Sequence, residues 1–87
     1  MIKLSGKKIG RVTHYYSKIG VAVLELTGDL TVGERIRFER GGEELFEQEV
    51  SSIQIEHKEV KKAKKGDDIG LKTEKEVKEG AEVFKVS

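Results

Sequence analysis

The sequence predicts a small all-β domain, a single closed β-barrel of Greek-key type with about six strands that covers residues 1–87. A Gly followed by two small or polar residues and an aliphatic residue recurs along the chain, as at Gly33, Gly66 and Gly80. Glycine lets the backbone turn at little steric cost before a strand resumes. Around Ile36 and Phe38, apolar residues alternate with charged ones, as in a strand with one buried face. A chain of 87 residues has room for only one core.

The first strands are predicted from β-branched and aromatic residues. Residues 8–16 have the composition of a strand, and residues 17–20 that of a turn. Residues 21–26 are the most apolar stretch, with one face formed by Ala22, Leu24 and Leu26 and the other by Val21, Val23 and Glu25. Leu30 and Val32 lead into the first glycine turn.

A hairpin turn at Gly41–Gly42 divides the middle of the chain, because consecutive glycines supply the backbone freedom of a tight turn. Residues 45–57 follow as one or two strands, in which Ile53 and Ile55 face inward. Val50 breaks this alternation, which predicts a bulge near Ser51 and Ser52.

The last third is predicted to consist of loops and two short strands. Residues 58–65 contain good helix formers but only two apolar residues, so they are interpreted as a loop with an inward anchor at Val60. A short strand at Ile69 and Leu71, a charged turn over residues 74–79 and a closing strand over residues 83–86 complete the domain.

The charge balance and composition exclude several classes of protein. With 17 basic and 16 acidic residues the formal net charge is +1, whereas tight non-specific nucleic-acid binders usually have a clear basic excess. The absence of Cys excludes disulfides and thiolate metal sites. The sequence has neither a signal-peptide pattern nor an apolar run of about 20 residues, so we expect a cytoplasmic protein without a membrane partner. The many Lys and Glu residues also suit a thermophile.

No grouping of residues predicts catalysis, so we expect a protein that is not an enzyme and uses no cofactor or metal. His14 and His57 are the only histidines, and neither has the spacing of a metal site. The glycine turns lack the Gly-Lys-Ser/Thr ending of a phosphate loop, so we expect no GTP binding by this chain.

Two segments are candidates for binding a nucleic acid or a partner. His14, Tyr15, Tyr16 and Lys18 combine rings with a basic residue, which suits stacking on single-stranded bases, although an ordinary strand end has the same pattern. Alternation places the two tyrosines on opposite faces, so at most one is expected to be exposed. The second segment carries five lysines, which form either a solvated loop or a track for phosphates: Lys58, Lys61, Lys62, Lys64 and Lys65. Further cations could extend it: Lys3, Lys7, Lys8 and Arg11.

Taken in order, several short motifs resemble the second domain of translational GTPases such as elongation factor Tu. They are residues 9–12, Leu30 to Ile36, Ala63 to Leu71, and Val77 to Val83. Residues 10–23 and 53–57 are more similar to the translation elongation factor-like proteins and to the C-terminal barrel of U32-type, collagenase-like peptidases.

The resemblance implies a translation-factor type barrel without the GTPase or peptidase catalytic domain. In elongation factor Tu this barrel helps to hold the 3′ end of aminoacyl-tRNA, and the residues near that pocket correspond to Gln54 and His57. One hypothesis is therefore a non-catalytic module that contacts tRNA, rRNA or a ribonucleoprotein weakly. The alternative hypothesis is a protein-interaction module that docks on a separate catalytic partner, either peptidase-like or RNA-modifying.

Overall fold

A computed structural model describes residues 7–86, which form ten β-strands and no helix. No segment of this range is therefore a helix long and apolar enough to cross a membrane. The strands are β1 (Lys8–Tyr16), β2 (Val21–Leu26), β3 (Leu30–Thr31), β4 (Arg35–Arg40), β5 (Glu43–Glu49), β6 (Ile53–Ile55), β7 (Lys58–Val60), β8 (Lys62–Ala63), β9 (Asp68–Lys72) and β10 (Glu82–Val86). The predicted all-β class is confirmed.

Eight strands form one antiparallel sheet in the order β5-β4-β10-β1-β2-β9-β6-β7, while β3 and β8 form a second sheet. The predicted closed, six-stranded barrel is not found, because within residues 7–86 no ladder joins the end strands β5 and β7. Single backbone hydrogen bonds instead connect the segment after β3 to residues that follow β7 and β5. Val32 N donates to Lys61 O at 2.9 Å, and Gly33 N donates to Val50 O at 2.9 Å. The left-handed backbone at Gly33, φ 100°, turns the chain directly after the second of these bonds.

The core lies on the concave side of the large sheet and is built by alternation along the strands. Ile36 and Phe38 of β4 are fully buried, as predicted, and Phe38 packs against the ring of Phe46 at a centroid distance of 4.9 Å. On β2 the residues Ala22, Leu24 and Leu26 are buried, so the face predicted for them is also confirmed.

The bulge predicted near Ser51 and Ser52 is wrong, because the chain leaves the sheet there. Val50 lies between β5 and β6 and is fully buried, and its N donates to Glu34 O at 2.8 Å. The change of parity at Val50 therefore marks the boundary between two strands.

The loop predicted over residues 58–65 is also wrong, since this segment contains β7 and β8. Val60 pairs with Ile53 and packs partly against the core, which agrees with its predicted role as an anchor. Ala63 is buried and pairs with Leu30. A few ladder positions and two apolar contacts are enough to order a lysine-rich segment that has no strong strand propensity of its own.

Residues 73–81 run without a strand, as predicted for the charged turn, but they contain an anchor that was not predicted. Val77 is buried in the core. The buried side chain of Gln48 holds the start of this segment, donating from Nε2 to Lys72 O and accepting from Glu74 N, both at 2.8 Å. A buried amide with both ends bonded is stable in such a position.

Candidate functional site

An open groove of about 280 Å³ lies on the outer face of β2, β9 and β6, opposite the core. We refer to it as the groove, and it is lined by Tyr16, Ile19, Val21, Val23, Gln54, Glu56, His57, Asp68, Ile69 and Gly70. Because Ala22 and Leu24 point into the core, the alternation of β2 places Val21 and Val23 outward, where they are half-buried. A strand with apolar residues on both faces thus supplies one wall of the groove.

Gly70 forms the floor of the groove. It lies between Val23 of β2 and Gln54 of β6 in the sheet. A Cβ atom at this position would contact Val21 Cγ1 at 3.4 Å and Gln54 Cβ at 4.0 Å, which are ordinary contact distances. Since the φ of Gly70 is not in the left-handed region, the backbone does not require glycine, and the lack of a side chain here leaves depth in the groove.

The turn between β6 and β7 forms one end of the groove and has an unusual backbone. Ile55 pairs with Lys58, so the hairpin has a two-residue loop, Glu56–His57, with φ values of 51° and 68°. Such loops favour Asn-Gly because both central residues need positive φ. These are the only residues other than Gly with positive φ in the part of the chain that is described. Strain of this kind is typical of functional positions.

The charged residues that line the groove are all acidic. The carboxylates of Glu56 and Asp68 are exposed and make no hydrogen bond or ion pair with any residue of the 7–86 range, and no Lys or Arg lines the groove. Lys18 in the turn before β2, Lys58 after His57 and Lys72 opposite Val21 lie beside the groove. The lining itself offers two unpaired carboxylates, which suit a cation.

The first predicted segment borders two adjoining concavities. Tyr15, Tyr16 and Lys18 together line a concavity of about 290 Å³ over the turn, and Tyr16 also lines the groove. Tyr16 is 49% exposed, whereas Tyr15 is half-buried and packs against the core. His14 contacts the edge of the Tyr16 ring at a centroid distance of 4.4 Å, and its Nδ1 lies 3.1 Å from Glu79 Oε2. One tyrosine is thus exposed, as expected.

The five lysines of the second segment are exposed but do not line one surface. Lys61 lines a concavity with Val32, Ser51, Ser52, Glu59 and Val60, and Lys65 lines another with Lys7 and Lys85. Lys58 follows the hairpin turn, Lys62 lies in β8, and Lys64 N donates to Asp67 Oδ2 at 2.9 Å.

The predicted extension of the lysine patch is found only at Lys7. Lys8 pairs with Glu82 at 2.8 Å and Arg11 with Glu25 at 3.2 Å, so both face acidic partners, and Lys3 lies outside the described residues. The structure therefore brings together Tyr16, Gln54 and His57, and it does not bring the lysines to them.

Sequence reasoning missed most of the groove, which comes from three separate stretches of the chain. The signal that could have revealed it is the outward face of β2, where Val21 and Val23 have no place in the core. In the sequence, Asp68 belongs to the turn motif that begins at Gly66 and gives no other sign of a binding role. Within residues 7–86 no three His, Asp or Glu side chains are grouped to hold a metal ion.

Comparison with known proteins links the chain to peptidase-like proteins. It is 42% identical over 77 residues to a Methanocaldococcus jannaschii protein named as an uncharacterized protease. The matched region covers 88% of this chain and 19% of the relative, so the chain spans about a fifth of the length of that protein. No family model matches the chain.

Solved structures with the same fold come from a larger protein as well. Two crystal structures of the C-terminal domain of an inferred U32 peptidase from Geobacillus thermoleovorans, one of them a selenomethionine variant, superpose with TM-scores of 0.85 and 0.83 at 19% sequence identity. The first covers 93% of both chains, and the variant covers 90% of this chain and 98% of that domain. These matches support the peptidase part of the predicted resemblance, whereas the elongation-factor part gains no support from them.

Proposed function

We propose that this chain is a non-catalytic interaction module of the U32 peptidase C-terminal type, which docks on the catalytic part of a peptidase-like protein. The observation that carries the proposal is the extent of the match. In fold, 93% of the chain matches one domain of an inferred peptidase, and in sequence 88% of it matches about a fifth of a protein named as an uncharacterized protease. We infer that a domain of this kind contributes a binding surface to a larger protein.

The surface best suited to docking is the groove. Among the described residues four large apolar side chains are markedly exposed, and two of them, Tyr16 at 49% and Ile19 at 60%, line the groove beside Val21 and Val23. Adjacent exposed apolar side chains mark interaction sites, whereas isolated ones need no explanation.

The proposal is tested with the M. jannaschii relative truncated so that it lacks the region matching this chain. Isothermal titration calorimetry of the truncated relative with the present chain is expected to show binding with a Kd on the order of 10 µM, as for a modest interdomain contact. A groove variant, Ile19→Asp with Val23→Asp, should bind at least about tenfold more weakly because it places charge on the apolar wall. Absence of heat with a folded truncated relative would contradict the proposal.

A weak contact with tRNA or rRNA is the second candidate, and the concavity lined by Lys7, Lys65 and Lys85 favours it. Its volume is about 330 Å³, and Asp29 is the acidic residue in its lining. Filter binding of tRNA should weaken between roughly 50 and 200 mM salt, and Lys7→Glu with Lys65→Glu should weaken it further. If the affinity for tRNA changed neither with salt nor with these substitutions, this second candidate function would be contradicted.

A further inference from the structure

We infer that the groove accepts a basic side chain flanked by apolar residues, presented by an extended segment of the protein partner. The inference rests on the proposed function and specifies the chemistry of the segment that docks. Three features of the groove support it, namely its apolar wall, its unpaired carboxylates and its open floor.

The wall selects for apolar neighbours. Ile19, Val21 and Val23 present aliphatic surface along the edge of β2, and Tyr16 adds a ring that is half exposed. Their burial under a partner releases water from apolar area, which is the main source of affinity at the centre of an interface. An entirely polar segment would leave this wall uncovered.

The carboxylates select for a cation. Glu56 reaches the groove from the β6–β7 turn and Asp68 from β9, their carboxylates find no partner within residues 7–86, and the lining contains no Lys or Arg to meet a phosphate. Approach of a nucleic-acid backbone would set like charges against each other, while a Lys or Arg of a polypeptide would pair with them. The observations therefore favour a protein segment over RNA at this site.

The floor leaves room for the side chain to enter. Gly70 has no side chain between the apolar wall and Gln54, so the carboxylates can be approached at depth. The amide of Gln54 is exposed and has no hydrogen bond to a described residue, which leaves it available to the backbone of the docked segment. The strained turn holds Glu56 and His57 at the rim.

The experiment uses three probes with ¹⁵N-labelled protein. They are the capped peptide Val-Leu-Arg-Leu-Val, the same peptide with Gln in place of Arg, and hexauridylate. The Arg peptide is expected to shift the amide signals of Val23, Gly70 and His57, with at least about fivefold higher affinity than the Gln peptide. Equal binding of the two peptides, absence of shifts with the Arg peptide, or shifts of these amides by hexauridylate would overturn the inference.

Substitutions connect the selectivity to the two carboxylates. Glu56→Gln with Asp68→Asn preserves size and should reduce the affinity for the Arg peptide about fivefold, leaving the Gln peptide unaffected. The matched control is Glu49→Gln, an exposed acid on β5 at the other end of the sheet order, which should leave both affinities unchanged. Equal loss in the control and the double variant would show a long-range charge effect and would overturn the assignment to the groove.

The outcomes separate this inference from the function on which it rests. If the truncated relative binds the native chain and the double variant equally well, the docking function stands and the groove assignment fails. If the truncated relative does not bind at all, the docking function fails, and the peptide selectivity alone decides whether the groove has the inferred preference.

Discussion

Two regions on the outer face of the same sheet differ in whether their charged side chains form ion pairs. On β4, β5 and β10 the basic and acidic side chains pair with each other, and we call this region the ion-paired face. Arg35 Nε lies 3.1 Å from Glu47 Oε1, Arg37 pairs with Glu39, and Glu82 of β10 pairs with Lys8 at 2.8 Å. In the groove, Glu56 and Asp68 have no such partner among the described residues.

The difference shows which of the two regions has its charged side chains paired within the chain. Arg37 illustrates the ion-paired face, because its side chain is 3% exposed and its guanidinium lies 5.3 Å from the centre of the Phe84 ring. Its Nη1 is buried without a hydrogen bond to any residue from 7 to 86. Internal pairs thus engage Arg35, Arg37 and their acidic partners, whereas the groove presents apolar area and unpaired carboxylates together. The groove therefore keeps charged groups that a partner can bind.

The largest effect is expected from breaking the ion-paired face at Arg37. Arg37→Ala should lower the free energy of unfolding by about 3 kcal/mol, because Glu39 loses its partner and the stem over Phe84 is lost. Urea denaturation measures this change, and the affinity for the Arg peptide should not change. Arg37→Met with Glu39→Gln should recover most of the stability, since no charge is left unpaired. A double variant as unstable as Arg37→Ala would show that the pairing is not the cause.

The next largest effect tests the open floor of the groove. Gly70→Val places a branched side chain between the apolar wall and Gln54, and the affinity for the Arg peptide should fall about tenfold, or about 1.4 kcal/mol. Gly70→Ala should give a smaller loss. Because the backbone there does not require glycine, the thermal midpoint of unfolding should be preserved in both variants. Undiminished affinity in a folded Gly70→Val protein would mean that the floor is not used.

The strained turn gives a third, smaller effect that runs in opposite directions for stability and binding. Glu56→Asn with His57→Gly supplies the residues that a two-residue hairpin loop prefers and should raise the free energy of unfolding by about 1 kcal/mol. The affinity for the Arg peptide should fall, because the Glu56 carboxylate is lost. Denaturation and peptide titration on the same sample measure both. A less stable variant would contradict the view that this turn stores strain.

The smallest effect is expected from the lysines. Lys61→Gln with Lys65→Gln should change the free energy of unfolding by no more than about 0.5 kcal/mol, since both side chains are exposed and lie in separate concavities. The affinity for the Arg peptide should change less than about twofold, the effect of distant, screened charges. A large gain in peptide affinity would show that these lysines repel the peptide and that the two regions are electrically coupled.

The strands could be predicted wherever alternation or a turn residue marks them locally. Residues 8–16 and 21–26 and the Gly41–Gly42 turn follow from such signals and are found as expected. The lysine-rich strands could not be predicted, because Lys58 and Lys62 join ladders only through partners that lie far away in the sequence or across a turn. Closure of the sheet is likewise decided by long-range pairing, which local pattern does not contain.

The groove could be predicted only in part for the same reason. Tyr16, Gln54 and His57 were identified singly, but their proximity depends on β9 lying between β2 and β6. The five lysines are a candidate site in the sequence because they lie close together there, although the folded chain places Lys61 and Lys65 in separate concavities. A contiguous run is visible in a sequence, whereas a groove made from three stretches becomes visible only after folding.

The first and last strands lie side by side, with Lys8 opposite Phe84 and Lys85 N donating to Lys7 O at 2.8 Å. A short Gly-Ser linker could therefore join residues 7 and 86, and the chain could be opened instead at the exposed Gly41–Gly42 tip. We expect such a circular permutant to form the same sheet and the same groove, with matching amide spectra. The groove would then form even though the strands are synthesised in a different order. The new termini would lie at the Gly41–Gly42 tip, so the domain could be fused to another protein from a different side.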